Sequence, residues 1–199
     1  MARRIEYIIL HYTAGEKSEK GSAIKMRDGW FYCWHNKNKP IAVSADYGVD
    51  DEEIVQFTPD PEIYAALSVK GNRKGISIEM CSIYDNSIGG AVYNNKLNQP
   101  NQPQWKFSQE VLTNTKKLII ELFKKFGPLN ITTHYRLNKK ACPGVRGWNK
   151  GALYDKNRII ETGKSDESVL EQYVEEIWAE WERVATASGR EVGNKISLV

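Results

Sequence analysis

What this chain lacks narrows its class before any motif is read. No stretch approaches the ~20 apolar residues that a membrane span requires, so no membrane partner is expected. The amino terminus carries Arg3 and Arg4, but the apolar run after them, Tyr7 to Leu10, is too short for the core of a secretory leader. No small-residue cleavage site follows it, so synthesis in the cytoplasm without a signal peptide is the expectation. Cysteine is scarce and odd in number: Cys33, Cys81 and Cys142. Such a set argues against a disulfide framework, and the default for each is a small buried hydrophobe. Internal repeats are absent. The turn Lys70-Gly-Asn-Arg-Lys-Gly75 lacks the Gly-Lys-Ser/Thr ending of a phosphate loop, and it reads as a basic turn.

What is present is an ordinary globular composition of 199 residues, 41% hydrophobic and 27% charged. Its net charge of +3 is unevenly spread. Eight acidic and three basic residues follow Lys164, a balance of −5, so the first 164 residues carry +8. A basic body favours an anionic partner. Nucleic acid, a membrane surface and a bacterial cell wall all have that sign, so charge selects none of them.

Ile5 to Leu10 reads as a buried strand with His11 at its end. Residues 23–34 read as an irregular helix. Val43–Val49 and Glu53–Phe57 read as two strands of a hairpin joined at Asp50-Asp51. In the strand Gly75–Cys81, alternation puts Ile76 and Ile78 on one face and Ser77 and Glu79 on the other. Residues 85–105, rich in Asn, Gln, Pro and Gly, read as a loop. From Ser108, apolar residues at helical spacing run to Phe126, and Gly127-Pro128 stops them. Asn130 to His134 is a short strand ending in a histidine, and Lys139–Trp148 is a loop around Cys142-Pro143-Gly144. In the tail, Val169, Leu170, Tyr173, Val174, Ile177, Trp178, Trp181 and Val184 form an apolar stripe on an acidic helix. The stripe calls for burial on the body or on a second copy, which leaves self-association open. Interleaved strands and helices predict an α/β fold with a central mixed sheet flanked by helices. The expected domains are 1–160, carrying the site, and 161–199, a C-terminal helical extension.

Two histidines at strand ends point to one crevice, since strand ends on one sheet edge converge where ligands bind. Cys142 lies eight residues after His134 in a loop able to fold back. Three nitrogen and sulfur ligands with one open position make a catalytic zinc arrangement, and imidazole with thiolate suits zinc better than calcium or magnesium. A histidine at a strand end is as readily structural, and spacing alone leaves both readings standing. Cys33-Trp34-His35 has no further ligand at metal spacing and reads as packing.

The surrounding segments add a resemblance. Ile8-Ile-Leu-His-Tyr-Thr-Ala-Gly15 resembles the first zinc-ligand segment of the type 2 N-acetylmuramoyl-L-alanine amidases, which include T7-type lysozymes and peptidoglycan-recognition proteins. Thr133-His-Tyr and Lys140-Ala-Cys-Pro-Gly144 resemble the second segment. Val43–Asp51 and Gly75–Met80 resemble the central strands of phage endolysins of that family. The likeness runs in order from about residue 5 to 150. It implies the type 2 amidase fold, one catalytic zinc held by His11, His134 and Cys142, Glu79 as catalytic acid/base, and Lys140 as the cation that supports the transition state. It further implies hydrolysis of the amide between N-acetylmuramic acid and L-alanine in peptidoglycan, by an endolysin made in the host cytoplasm that acts on the wall after release.

The pattern departs from many relatives at Asp46, where they have His, and at Tyr64-Ala65-Ala66, where they have Trp-His-Ala. Both positions bear on the substrate groove. The tyrosine of the T7-type site falls near Ala45 here, which leaves proton transfer to Glu79 and makes Tyr47 a core residue. One alternative is a non-catalytic peptidoglycan-binding module of the same fold; it is typically reached by loss of the metal cysteine, which this chain keeps. A nucleic-acid-binding domain with a structural zinc needs a fourth protein ligand, and the sequence offers none, so no nucleic-acid partner is expected.

Overall fold

The computed structural model describes residues 5–13, 18–31, 45–57, 74–85, 104–138 and 167–199. Their centre is a five-stranded mixed sheet in the order β3-β2-β4-β1-β7. It contains β1 (Tyr7–Tyr12), β2 (Tyr47–Val49), β3 (Ile54–Gln56), β4 (Gly75–Met80) and β7 (Asn130–Thr133). Strands β1, β2, β4 and β7 run parallel, and β3 returns antiparallel to β2. The expected α/β fold with a mixed sheet is therefore the observed one.

The irregular helix read near residue 23 is α1 (Ser22–Met26), continued by one wider π-type turn, Arg27–Phe31. The hairpin at Asp50 is present, and its turn is built by that side chain. Asp50 Oδ1 accepts the backbone N–H groups of Glu52 and Glu53, and Oδ2 accepts that of Ala23 near the start of α1. One buried carboxylate thus satisfies donors of the turn and of the helix, as a buried charge must. The reading of 85–105 as loop needs a correction. Gln104–Lys106 forms β6, antiparallel to β5 (Ile83–Asp85), although 86–103 lies outside the described residues. Polar composition hid a strand whose partner is its own hairpin mate.

Helix α2 (Gln109–Phe126) is capped by Ser108, whose Oγ accepts from the Val111 N–H at 3.1 Å. Such a cap satisfies one of the free N–H groups of the first turn. Gly127, at φ +81°, ends the helix in a conformation that residues with a Cβ rarely adopt. The buried positions Val111, Leu118, Ile119, Leu122 and Phe123 share one core with Ile8, Leu10, Ile76, Ile78 and Ile131 of the sheet. Strand alternation puts those sheet residues on a single face.

The tail helix, α4 (Glu167–Ala187), belongs to that same core. Leu170, Tyr173, Val174, Ile177, Trp178 and Trp181 are buried, and Trp181 meets Phe123 edge to face with centroids 5.7 Å apart. The stripe read from sequence is covered within the chain, apart from the exposed Val169. Charge follows the packing: Glu176 of α4 pairs with Lys116 of α2 at 2.9 Å. Part of the anion that the basic body calls for is its own tail. Among the described residues, no helix is long and apolar enough to cross a membrane.

Candidate functional site

The opposite face of the sheet carries the polar residues. In β1 it presents Tyr7, Ile9 and His11, and in β4 it presents Gly75, Ser77 and Glu79. His11 lies directly across from Glu79 in the parallel register. On the other side of β1, Leu10 pairs with Thr133, so the next residue, His134, stands beside His11. The three side chains therefore sit in one row near the carboxyl edge of the parallel strands, where open α/β sheets bind ligands. Two boundaries differ from the sequence reading. His11 is the penultimate residue of β1 rather than the one after it, and His134 opens the short helix α3 (His134–Asn138). Both shifts are one residue or so and leave the row intact.

The three side chains lie close together. The His11 and His134 rings have centroids 4.8 Å apart at 64°, and His11 Nδ1 is 3.8 Å from Glu79 Oε1. All three residues are buried. Burial, with His134 beside it, pushes the His11 pKa well below 6.5. Burial alone pushes Glu79 up to about 8. At neutral pH the pair is a neutral acid facing a neutral imidazole, not an ion pair. The strand beside Glu79 contributes to its dryness. Its register partner in β2 is Gly48, and the Phe57 ring occupies the space where a Cβ on Gly48 would stand, 2.3 Å from the ring. Glu79 Oε2 is buried with no hydrogen-bond partner among the described residues, an arrangement that costs free energy unless a ligand uses it.

Whether these residues suit a zinc ion follows from their chemistry. Two buried imidazoles meet at ligand-sharing distance, His11 is held in the neutral form that binds metal, and an orphaned carboxyl oxygen lies next to them. That set fits zinc. Among the described residues, no three His, Cys, Asp or Glu side chains form a group able to hold a metal. Cys142, the third expected ligand, and Lys140 lie outside the described residues, as do Tyr64, Ala65, Ala66, Cys33 and His35. The structure thus brings together His11, Glu79 and His134.

Asp46, the departure noted in the groove, has a structural task. Its Oδ2 accepts the Ser77 N–H at 2.8 Å, its own N–H donates to Ser77 O, and its carbonyl accepts the Phe57 N–H. It stitches β2 to β4 two residues below Glu79. No local pattern signals this, because the bond is to backbone across 31 positions. Tyr47 is buried in the core, as expected. Cys81 is a free, buried thiol pushed up to about 12 by burial and by Asp50, which makes it inert at neutral pH.

Solved structures with the same fold include a mutant of PlyL, 19% identical, with a TM-score of 0.53, covering 88% of this chain and 86% of that one. A mutant endolysin from Bacillus subtilis is 21% identical with a TM-score of 0.50, covering 84% of this chain and 86% of that one. The complex of peptidoglycan recognition proteins LCa and LCx with tracheal cytotoxin is 14% identical with a TM-score of 0.50, covering 72% and 82%. No curated protein matches the chain. The model of the N-acetylmuramoyl-L-alanine amidase family matches residues 1–145, which takes in both histidines, Glu79, Lys140 and Cys142. With nearly three quarters of its length matched and the sheet, the row and the buried acid in place, the chain belongs to the type 2 N-acetylmuramoyl-L-alanine amidase family.

Proposed function

We propose that the chain is a zinc-dependent hydrolase of the amide between N-acetylmuramic acid and L-alanine in peptidoglycan, and that it serves as a wall-lytic endolysin. His11, His134 and Cys142 hold the zinc, Glu79 is the acid/base, and Lys140 supports the transition state. The observation that carries this reading is the row His134–His11–Glu79 at the carboxyl edge of the sheet, with all three side chains buried. Family membership supports the bond cleaved, and the fold is shared with a Bacillus subtilis endolysin, which supports the setting.

When bound, zinc supplies a Lewis acid that polarises a carbonyl and acidifies water. The chain's own residues do the rest. Burial raises the Glu79 pKa toward neutrality, and its Oε2 has no hydrogen-bond partner among the described residues, so the carboxyl is suited to take up a proton and hand it to the departing amine. The neutral His11 beside it neither takes that proton nor repels a cation. Lys140 offers positive charge to the oxygen on which negative charge develops. Ile9, on the same face and fully buried, helps keep water from the row. The enzyme is made in the cytoplasm and meets its substrate once the membrane is breached.

The test is digestion of purified bacterial walls with the zinc-loaded protein. New L-alanine amino termini should appear at one zinc per chain, and Cys142→Ala should lose both the zinc and the release. Walls that are bound but yield no new termini would identify a binding module instead. Zinc retained at one per chain in Cys142→Ala would overturn the ligand set.

A further inference from the structure

Among the described residues, strand β7 is an edge strand of four residues whose ladder partner is β1. His134 follows it at once. The other side is covered by the end of the chain, far outside the matched residues 1–145. The Ile131 N–H donates to Ser197 O at 3.1 Å, and the Val199 N–H donates to Ile131 O at 2.9 Å. Thr132 Oγ1 donates to Val199 O at 2.6 Å, and the Ser197 N–H donates to Asn130 Oδ1 at 2.9 Å. The segment is anchored before it arrives. Trp181 Nε1 of α4 donates to Val192 O at 2.8 Å, Gly193 turns at φ +79° against Pro128, and Ile196 is buried in the core.

We propose that residues 192–199 are a strap that fixes β7 and so positions His134 against His11. A metal ligand must be held to within about 0.5 Å by its supporting shell. Without the strap, a four-residue edge strand bonded on one side would be the least constrained strand of the row, whereas His11 and Glu79 sit on strands paired on both sides. Asn130 and Thr132 share His134's face by alternation, and both turn their side chains to the strap instead of to the site. Trp181 links the strap to α4, so the C-terminal helix contributes to the site through this contact. The positioning role rests on the reading of His134 as a zinc ligand.

The test compares the wild-type protein with the double variant Asn130→Ala/Val199→Pro, which at partly exposed positions removes the bonds from Ser197 N–H and Oγ to Asn130 Oδ1 and from the Val199 N–H to Ile131 O. The metal-free His134 ring signal by nitrogen–proton NMR, zinc affinity by chelator competition, and Ile131 amide exchange are measured. Release of the strap, seen as faster Ile131 exchange, should shift or broaden the His134 ring signal and weaken zinc roughly tenfold, as loss of a supporting contact does. Faster Ile131 exchange with ring signal and affinity unchanged would overturn the strap. If the wild type binds no zinc, the ligand reading fails, and the ring signal alone decides the strap. Should the double variant not fold, Thr132→Val and Thr132→Ser replace it. Zinc weakened by Val and restored by Ser supports the strap, and equal affinities overturn it.

Discussion

The two faces of one sheet carry opposite chemistry on alternate residues of the same strands. Ile8, Leu10, Ile76, Ile78 and Ile131 point to α2 and α4 and are almost wholly buried among other hydrocarbons. Ile9, His11, Ser77, Glu79 and Thr132 point the other way, also buried, but with polar groups whose desolvation has to be offset. Burial is equal on the two faces while its consequences are not. On the first it stabilises the fold by roughly 25 cal/mol per Å² of apolar surface. On the second it sets protonation, pushing Glu79 up to about 8 and His11 well below 6.5. The apolar face supplies the stability, and the other face uses some of it to hold groups in reactive states.

The largest effect expected from this contrast is on the polar face. Glu79→Gln keeps the shape and removes the transferable proton. Wall-cleaving activity should drop by about 10²–10⁴, the usual worth of a general acid/base, while the protein stays folded. An activity within threefold of wild type would remove Glu79 from the chemistry. The counterpart on the apolar face is Ile78→Ala, one residue earlier in β4. It deletes a fully buried side chain, and unfolding free energy should fall by about 2–5 kcal/mol. Activity per folded molecule should be kept at low temperature. A denaturant titration of both variants separates the two faces, and equal stability losses would erase the contrast.

A third expectation concerns pH in the metal-free protein. Glu79 has a folded pKa of about 8 and an ordinary unfolded one, so the folded state binds more protons between them. Its stabilising contribution is complete below the unfolded value and is lost as pH rises toward 8. His11, with its folded pKa depressed, has the opposite slope, largely confined to pH below about 6.5. The window from pH 6.5 to 8 therefore mainly reports Glu79. Stability should fall by roughly 1–2 kcal/mol across it, whereas that of Glu79→Gln should rise by no more than about 0.5 kcal/mol as the unfolded-state His11 finishes titrating. Equal slopes in the two proteins would mean that the carboxyl is already ionised.

Much of this division was legible in the sequence. The alternation Ile76-Ser77-Ile78-Glu79 names both faces of β4, and the caps at Ser108 and Gly127 bound α2 to within a residue. His11 and His134 could be paired as candidates because each closes an apolar strand. Periodicity could not reveal the register that sets His11 opposite Glu79, which joins positions 68 apart through backbone bonds. Nor could it reveal Asp46 on the Ser77 N–H, or the strand at Gln104–Lys106, which pairs with β5. Local patterns report which face is apolar. Long-range hydrogen bonds decide what the polar face assembles.

The smallest expected effect tests how the apolar face is closed by its tail. Tyr173 of α4 is buried, and its hydroxyl donates to Leu112 O of α2 at 2.6 Å. Burial, with Glu176 nearby, holds the phenol above its usual pKa, so it stays a donor across the physiological range. Lys116, whose Nζ lies 5.8 Å from the ring centroid, also pairs with Glu176, so ring and carboxylate share one cation. Tyr173→Phe removes the hydroxyl alone. Leu112 O lies within α2, and the ring keeps its packing. The loss should therefore be near 1 kcal/mol, the net worth of one hydrogen bond. Zinc affinity and the His134 ring signal should not move, because the strap is anchored through Trp181, two turns further along α4. A change in either of these would mean that the helix reaches the polar face as a rigid unit, and the separation of the two faces would then be weaker than their alternation implies.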